Sequence, residues 1–280
     1  MPILITGGNG FLGSYIPGRR MTANLLDEYS VKKEIANINP HTILHLAAIC
    51  GGIQYNIKYP KEMLSGNINM AINIFEAARL SGVKRVVTIG STCAYPADIR
   101  SPFLTQEYAT GFPEVTNSAY GIAKRTLYSI GEVYSKMFGI EHLHIVLANL
   151  YGPRDKFGEE ESHVIPALID RFLAKKNVTV WGDGTAKREF LYVEDAAKII
   201  VKLANSDRVG IVNVGSGEVC TIAELVKHIK KLTGNRGKVS WDKSKPMGQK
   251  DRLLQSDYKG TTRLRTGLKK TIEWYKAIDK

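Results

Sequence analysis

A chain of 280 residues can form one or two domains and bury roughly three quarters of its unfolded surface, so it needs no disulfide or metal staple. Its three cysteines, Cys50, Cys93 and Cys220, lie too far apart for a disulfide framework or a zinc site. The formal net charge of +12 leaves two kinds of anionic partner open, nucleic acid and small phosphate-bearing ligands, and from Asn235 onward 13 Lys/Arg face only 5 Asp/Glu.

The chain opens on PILITGGNG with no basic-then-apolar leader, and no apolar run approaches the roughly eighteen residues of a membrane span. The expectation is a protein without a membrane anchor, in a reducing cytoplasm. ILIT predicts a strand, and GGNGFLG follows it at once, spacing Gly7, Gly10 and Gly13 three apart around Phe11 and Leu12. Glycines in a strand-to-helix turn let backbone amides approach a pyrophosphate, so the segment predicts a dinucleotide site. Only SYI separates Gly13 from Pro17. The first helix therefore reads as cut short, and the second strand, which normally carries the ribose-reading residue, is hard to find. Arg19 and Arg20 stand there instead, and an arginine favours a 2'-phosphate, hence NADP.

TILHLAA, RVVTIGS and HIVLANL predict further strands, separated by helical periods in NINMAINIFEAARLSG and SAYGIAKRTLYSIGEVYSKMFG. That alternation predicts an α/β fold, a Rossmann-type doubly wound parallel sheet. After Tyr151 short strands (VTVWG, IVNVGS, KVSW) mix with helices (SHVIPALIDRFLAKK, VEDAAKIIVKLA, TIAELVKHIKKLTG), which suits a smaller α+β lobe. Residues 1–155 are expected to form the dinucleotide-binding domain and 156–280 the substrate lobe, with 190–215 open to rejoining the main sheet. The cleft between the lobes is where a ligand is expected.

Tyr120 and Lys124 stand one helical turn apart on one face, a spacing in which the ammonium can steady a phenolate and make the phenol a proton donor to a carbonyl. Taken alone this is also an ordinary exposed pair, and Cys93 in GSTCAYP is an ordinary packing residue. Together, the glycine turn, a serine at a strand end and Tyr-x-x-x-Lys resemble the extended short-chain dehydrogenase/reductase family, over most of the chain. By that resemblance Tyr120 is the acid, Lys124 lowers its pKa and holds the nicotinamide ribose, Ser91 hydrogen-bonds the substrate oxygen, and Ala47 in HLAA lies beside the cofactor.

AAICGGIQYNIKYP, GSTCAYP, SAYGIAK, NLYGPRDKF, SHVIPALIDRF and VWGDGTAKREFLYVEDAA, collinear from about Leu44 to Glu194, are similar to the GDP-L-fucose synthase branch. The resemblance implies NADPH-dependent 3,5-epimerisation and 4-keto reduction of a GDP-4-keto-6-deoxymannose. Cys93 and His163 would be the acid/base pair, and Asn149, Trp181 and Arg188, with Lys250 and Arg252, would contact the substrate. Ser162 is placed to cap the helix after His163, and the helix N-terminus should disfavour imidazolium. The resemblance also implies a homodimer, a four-helix bundle from the helices Asn67–Gly82 and Ser118–Gly139. Two apparent deletions depart from the branch, one between Gly13 and Arg20 and one after SDYKGTTRL. The rivals are a related GDP-mannose 3,5-epimerase or sugar 4-epimerase, which consumes no NADPH, and a non-catalytic descendant that binds RNA through the basic C-terminal face.

Overall fold

Runs of Ile, Leu and Val with no polar face form strands only where helices cover both sides of a sheet. In the computed structural model, which describes residues 3–158, 162–245 and 248–278, the first half supplies β1 (Ile3–Thr6), β2 (Arg19–Arg20), α1 (Glu28–Ile38), β3 (Thr42–His45), α2 (Ile53–Lys58), α3 (Asn67–Leu80), β4 (Arg85–Ser91), α4 (Ser118–Phe138) and β5 (Glu141–Leu147). Successive side chains on these strands face opposite sides. Leu4, Ile43 and Val86 pack with Val31, Ile35, Phe75 and Leu127 from α1, α3 and α4, whereas Ile5, Leu44 and Val87 belong to the core on the other face.

The rest of the chain forms β6 (Asn149–Tyr151), α5 (Val164–Ala174), β7 (Val178–Trp181), β8 (Lys187–Tyr192), α6 (Val193–Ala204), β9 (Gly210–Gly215), β10 (Val219–Thr221), α7 (Ile222–Thr233), β11 (Val239–Asp242), β12 (Asp251–Arg252), β13 (Tyr258–Lys259) and α8 (Leu264–Ile278). IVNVG does rejoin the main sheet. β9 pairs with β5, β13 pairs with β9, and the seven parallel strands run β2-β1-β3-β4-β5-β9-β13. Helix α6 covers the second face through Ala196, Ile200 and Leu203. A separate sheet, β10-β8-β12 with β6 also on β8, shares a third core with α5, α7 and α8.

Two features of the deletions are now concrete. The helix expected after the glycine turn is a three-residue 3-10 turn, Gly13–Tyr15, but the second strand is not lost: Arg19 and Arg20 pair in parallel with Leu4 and Ile5. Near the C-terminus α8 follows directly on the β13 loop, held by Asp195, whose carboxylate accepts the Thr261 and Thr262 amides at 2.9 and 2.6 Å. No helix among the described residues is long and apolar enough to cross a membrane.

Candidate active site

The carboxyl ends of β1 and β4 build the site from two sides. At β1, Gly7 has φ +67°, and a Cβ there would lie 2.7 Å from the Ala47 backbone, so the glycine turn sits directly against HLAA. A Cβ at Gly13 would collide with the Gly7 carbonyl, while Gly10 donates its amide to that oxygen at 3.0 Å. Thr6 Oγ1 meets His45 Nδ1 at 2.8 Å and accepts the Ala47 amide, tying the two turns together. Burial lowers the His45 pKa to about 3, so this imidazole is a neutral strut. Arg20 lays its stem over Gly8 and donates to Asn9 Oδ1 at 3.1 Å, which puts an exposed cation at the rim of the turn. Phe11 and Leu12 are half-buried in it.

At β4, Ser91 ends the strand and its Oγ accepts the Cys93 amide at 3.2 Å, starting a 3-10 turn over Thr92–Ala94. The first turn of α4 docks on that loop, and only a glycine fits at 121, because a Cβ would run into the Cys93 carbonyl. This contact sets Tyr120 and Lys124 beside Cys93. Lys124 Nζ lies 5.5 Å from the Tyr120 ring centre and donates to the Ile89 carbonyl at 2.8 Å. Burial lowers the Lys124 pKa to about 8, with Cys50 opposing the shift. The expected depression at Tyr120 is absent: burial dominates and holds the phenol well above its ordinary value, with Cys50, Cys93 and Tyr108 adding to the rise. A phenol that keeps its proton is in the state a proton donor requires.

Helix α5 brings His163 from the second lobe. His163 itself occupies the N-cap, and Ser162 instead donates to the Lys156 carbonyl at 2.7 Å, so the expected serine cap is corrected. The imidazole keeps open surface although protein crowds it on its other sides, as in a cleft. Crowding, and after it Lys156, lowers its pKa. Lys156 also acts electrostatically on Cys50, which in turn feels Cys93 and Lys124.

The segment from Gln249 to Gln255 straps the lobes together. Gln249 Nε2 donates to the Pro96 carbonyl at 3.2 Å, Phe103 and Leu253 pair at 2.9 Å, and Arg252 Nη1 reaches Cys93 Sγ at 3.3 Å. Arg188 is buried and donates to the carbonyls of Lys187 and Lys250 at 2.8 and 3.1 Å, while burial and the neighbouring Arg252 lower its pKa to about 10. Two buried guanidiniums thus stand on adjoining strands, a donor set whose chemistry suits an anion. Lys250 is exposed at its edge. Asn149 spends an amide hydrogen on the Glu189 carbonyl at 3.0 Å. Trp181, at the end of β7, shares a surface pocket of about 310 Å³ with Arg171, Lys175, Asn177 and Thr179.

Residues 17–215 match the model of the NAD dependent epimerase/dehydratase family. The chain belongs to that family. Within it, the chain is 33% identical to a GDP-L-colitose synthase of Yersinia pseudotuberculosis, covering 98% of both chains, and 34% identical to a GDP-L-fucose synthase of Escherichia coli strain K12, covering 98% of this chain and 96% of the relative. A crystal structure of a GDP-L-fucose synthetase from Naegleria fowleri bound to NADP superposes with a TM-score of 0.87 at 26% identity, over 98% of this chain and 94% of that one.

This epimerase/dehydratase-family chain also places residues at the site that motif reasoning passed over. Cys50, within AAICGG, joins the Lys124 and Cys93 neighbourhood. Asp155, in NLYGPRDKF, is buried, takes the Lys156 amide at 2.8 Å, and is raised by burial from 3.8 to about 7. Nothing in the local sequence announces either, because burial of a carboxylate is a property of the assembled lobes.

The raised carboxyl makes stability pH-dependent. The folded protein holds the Asp155 proton more tightly than the unfolded chain, so this contribution is full below about pH 4 and is lost as pH rises through about 7. Asp155→Asn removes the buried charge at nearly constant shape. It is expected to leave stability unchanged near pH 4 and raise it by about 2–4 kcal/mol near pH 8, as read from urea unfolding at the two pH values.

Proposed function

We propose that the chain epimerises GDP-4-keto-6-deoxymannose at carbons 3 and 5 and reduces the ketone at carbon 4 to give GDP-L-fucose, with NADPH as reductant. The observation that carries this reading is the gathering of Ser91, Cys93, Tyr120 and Lys124 around one strand end, where the Tyr120 helix packs on the Cys93 turn. Its relatives' names add the substrate class.

A ketone at carbon 4 acidifies the protons on both neighbouring carbons. Cys93 and His163, from different lobes, are assigned to take and return those protons on opposite faces of the ring, while Ser91 and Tyr120 hydrogen-bond the enolate oxygen. The same two hydroxyls hold the ketone for reduction, and Tyr120 supplies the proton to the new alkoxide. NADPH, when bound, supplies the hydride. Gly7, Gly10, Phe11, Leu12 and Gly13 are assigned to its pyrophosphate, Arg20 to its 2'-phosphate, Ala47 to the neighbouring wall, and Lys124 with Tyr120 to the nicotinamide ribose. The fit rests on the close turn that only glycines permit and on the cation at its rim. Arg188 and Arg252, with Lys250, are assigned to the diphosphate, and Asn149 and Trp181 to the sugar and nucleoside.

Incubating purified protein with GDP-4-keto-6-deoxymannose and NADPH tests the assignment. It predicts one NADPH oxidised per GDP-L-fucose formed. Inversion without NADPH loss would make the protein an epimerase, and no turnover together with RNA binding at physiological salt would make it the basic nucleic-acid binder.

The same reading places the protein in the cytoplasm as a homodimer, its α3 and α4 forming half of a four-helix bundle. Ile72, Leu80, Val133 and Met137 on these helices are 45%, 55%, 49% and 70% exposed, an apolar band that a second copy would cover. Val133→Glu combined with Met137→Glu is expected to halve the mass measured by sedimentation while the far-ultraviolet circular dichroism stays unchanged. A dimer that survives both charges rules out this interface.

A further inference from the structure

Beneath the strand end that carries Ser91 runs a line of buried polar side chains that the proposed chemistry leaves unused. Tyr108, His144, Thr88 and His142 are each 1% exposed or less. The Tyr108 hydroxyl lies 2.9 Å from His144 Nε2. His144 Nδ1 is 2.7 Å from Thr88 Oγ1, which is 2.9 Å from His142 Nε2, and His142 Nδ1 is 3.4 Å from Glu132 Oε1 on α4. Buried polar groups on this scale are costly unless every member is satisfied.

The carboxylate end fixes the direction of the line. A carboxylate can only accept, so His142 must present Nδ1–H to it. From that end a single assignment of protons satisfies each contact: His142 Nδ1–H donates to Glu132, the Thr88 hydroxyl to His142 Nε2, His144 Nδ1–H to Thr88, and the Tyr108 hydroxyl to His144 Nε2. This needs both rings neutral. Burial does that, lowering the His142 pKa to about 4 and that of His144 well below its ordinary value, with Arg85 and Lys124 pushing the same way.

The junction touches the backbone of the site. A Cβ at Gly90 would lie 2.5 Å from His144 Nε2 and 2.9 Å from the Tyr108 hydroxyl, so the residue before Ser91 has no side chain to hold it, and the polar pair fills that place. Ser91 Oγ in turn receives the Cys93 amide. We propose that Tyr108 and His144 are positioning residues which, packed against Gly90 and held by a one-way hydrogen-bond line anchored on Glu132, fix the Gly90–Ser91 peptide and thereby the aim of the Ser91 hydroxyl and the Cys93 turn. The inference rests on the catalytic reading of Ser91 and Cys93 given above.

Tyr108→Phe deletes one hydroxyl and keeps the ring packing against Tyr95 and Tyr128. The expected result is a kcat for GDP-4-keto-6-deoxymannose reduction lowered roughly tenfold to a hundredfold, with KM for the sugar nucleotide and for NADPH within about twofold of the parent. Unchanged kcat, or a KM that rises as steeply as kcat falls, overturns it. Two measurements need no substrate. In the same variant the Ser91 amide should exchange with deuterium at least about tenfold faster while Val86 and Val87 keep their protection. Side-chain nitrogen NMR of the parent chain should find His142 and His144 both carrying their proton on Nδ1 at neutral pH. A protonated Nε2 in either ring, or an unaltered Ser91 exchange rate, overturns the proposal. Absence of turnover in the parent with both signals in place would count against the catalytic reading instead, leaving the line as a purely structural prop and overturning its positioning role.

Discussion

Tyr120→Phe is expected to abolish ketone reduction, lowering the rate by about 10³-fold or more, within the range that a positioned general acid contributes. The ring stays, so the contact with Lys124 and the docking of α4 on the Cys93 turn survive. On the proposed mechanism, only the proton for the new alkoxide is lost. Burial keeps that proton on Tyr120 until the hydride arrives, and the buried ammonium of Lys124 one turn away is the charge that can ease its release. Because burial lowers the free Lys124 to about 8, kcat/KM is expected to decline above about pH 8 as the ammonium is lost. Stopped-flow loss of NADPH absorbance measures both effects. Near-parent reduction by the phenylalanine variant would remove Tyr120 from the chemistry.

Cys93→Ser is expected to separate the two halves of the reaction. An alcohol fills the same space and still meets Arg252, but it is a far weaker acid than a thiol and cannot serve as the base. Inversion should slow by about 10²–10³-fold, while reduction of the uninverted ketone, which the proposed mechanism assigns to Ser91, Tyr120 and Lys124, should fall by less than about tenfold. Deuterium entering carbons 3 and 5 from heavy water without NADPH reports the first step, and NADPH loss reports the second. Equal loss of both would contradict the division of labour between thiol and phenol.

The parts of this site that the sequence disclosed are those built from neighbours along the chain. The glycine spacing, the helical turn from Tyr120 to Lys124 and the helices around Asn67–Leu80 and Ser118–Phe138 follow from local periodicity, and all appear in the fold. β2 was illegible because it is two arginines with no apolar alternation; its pairing with Leu4 and Ile5 makes it a strand. β13 is two residues, Tyr258 and Lys259, recruited by β9 from more than forty positions away. His163 takes the cap expected of Ser162, which turns to the Lys156 carbonyl. Tyr108 and His144 meet across 36 positions, and Arg252 meets Cys93 across 159. Such contacts leave no period to read, since only the assembled fold brings these residues together.

The three-residue turn that stands where a full helix would follow Gly13 bears on the rhythm of the cycle. A longer helix would aim a stronger dipole and a continuous wall of amides at the pyrophosphate. With that grip reduced to one turn and an exposed arginine, spent coenzyme should leave readily, and an enzyme that oxidises a fresh molecule at each round gains from quick release. Dissociation faster than turnover is the expected relation between the two rates, and coenzyme that co-purifies with the protein would contradict it.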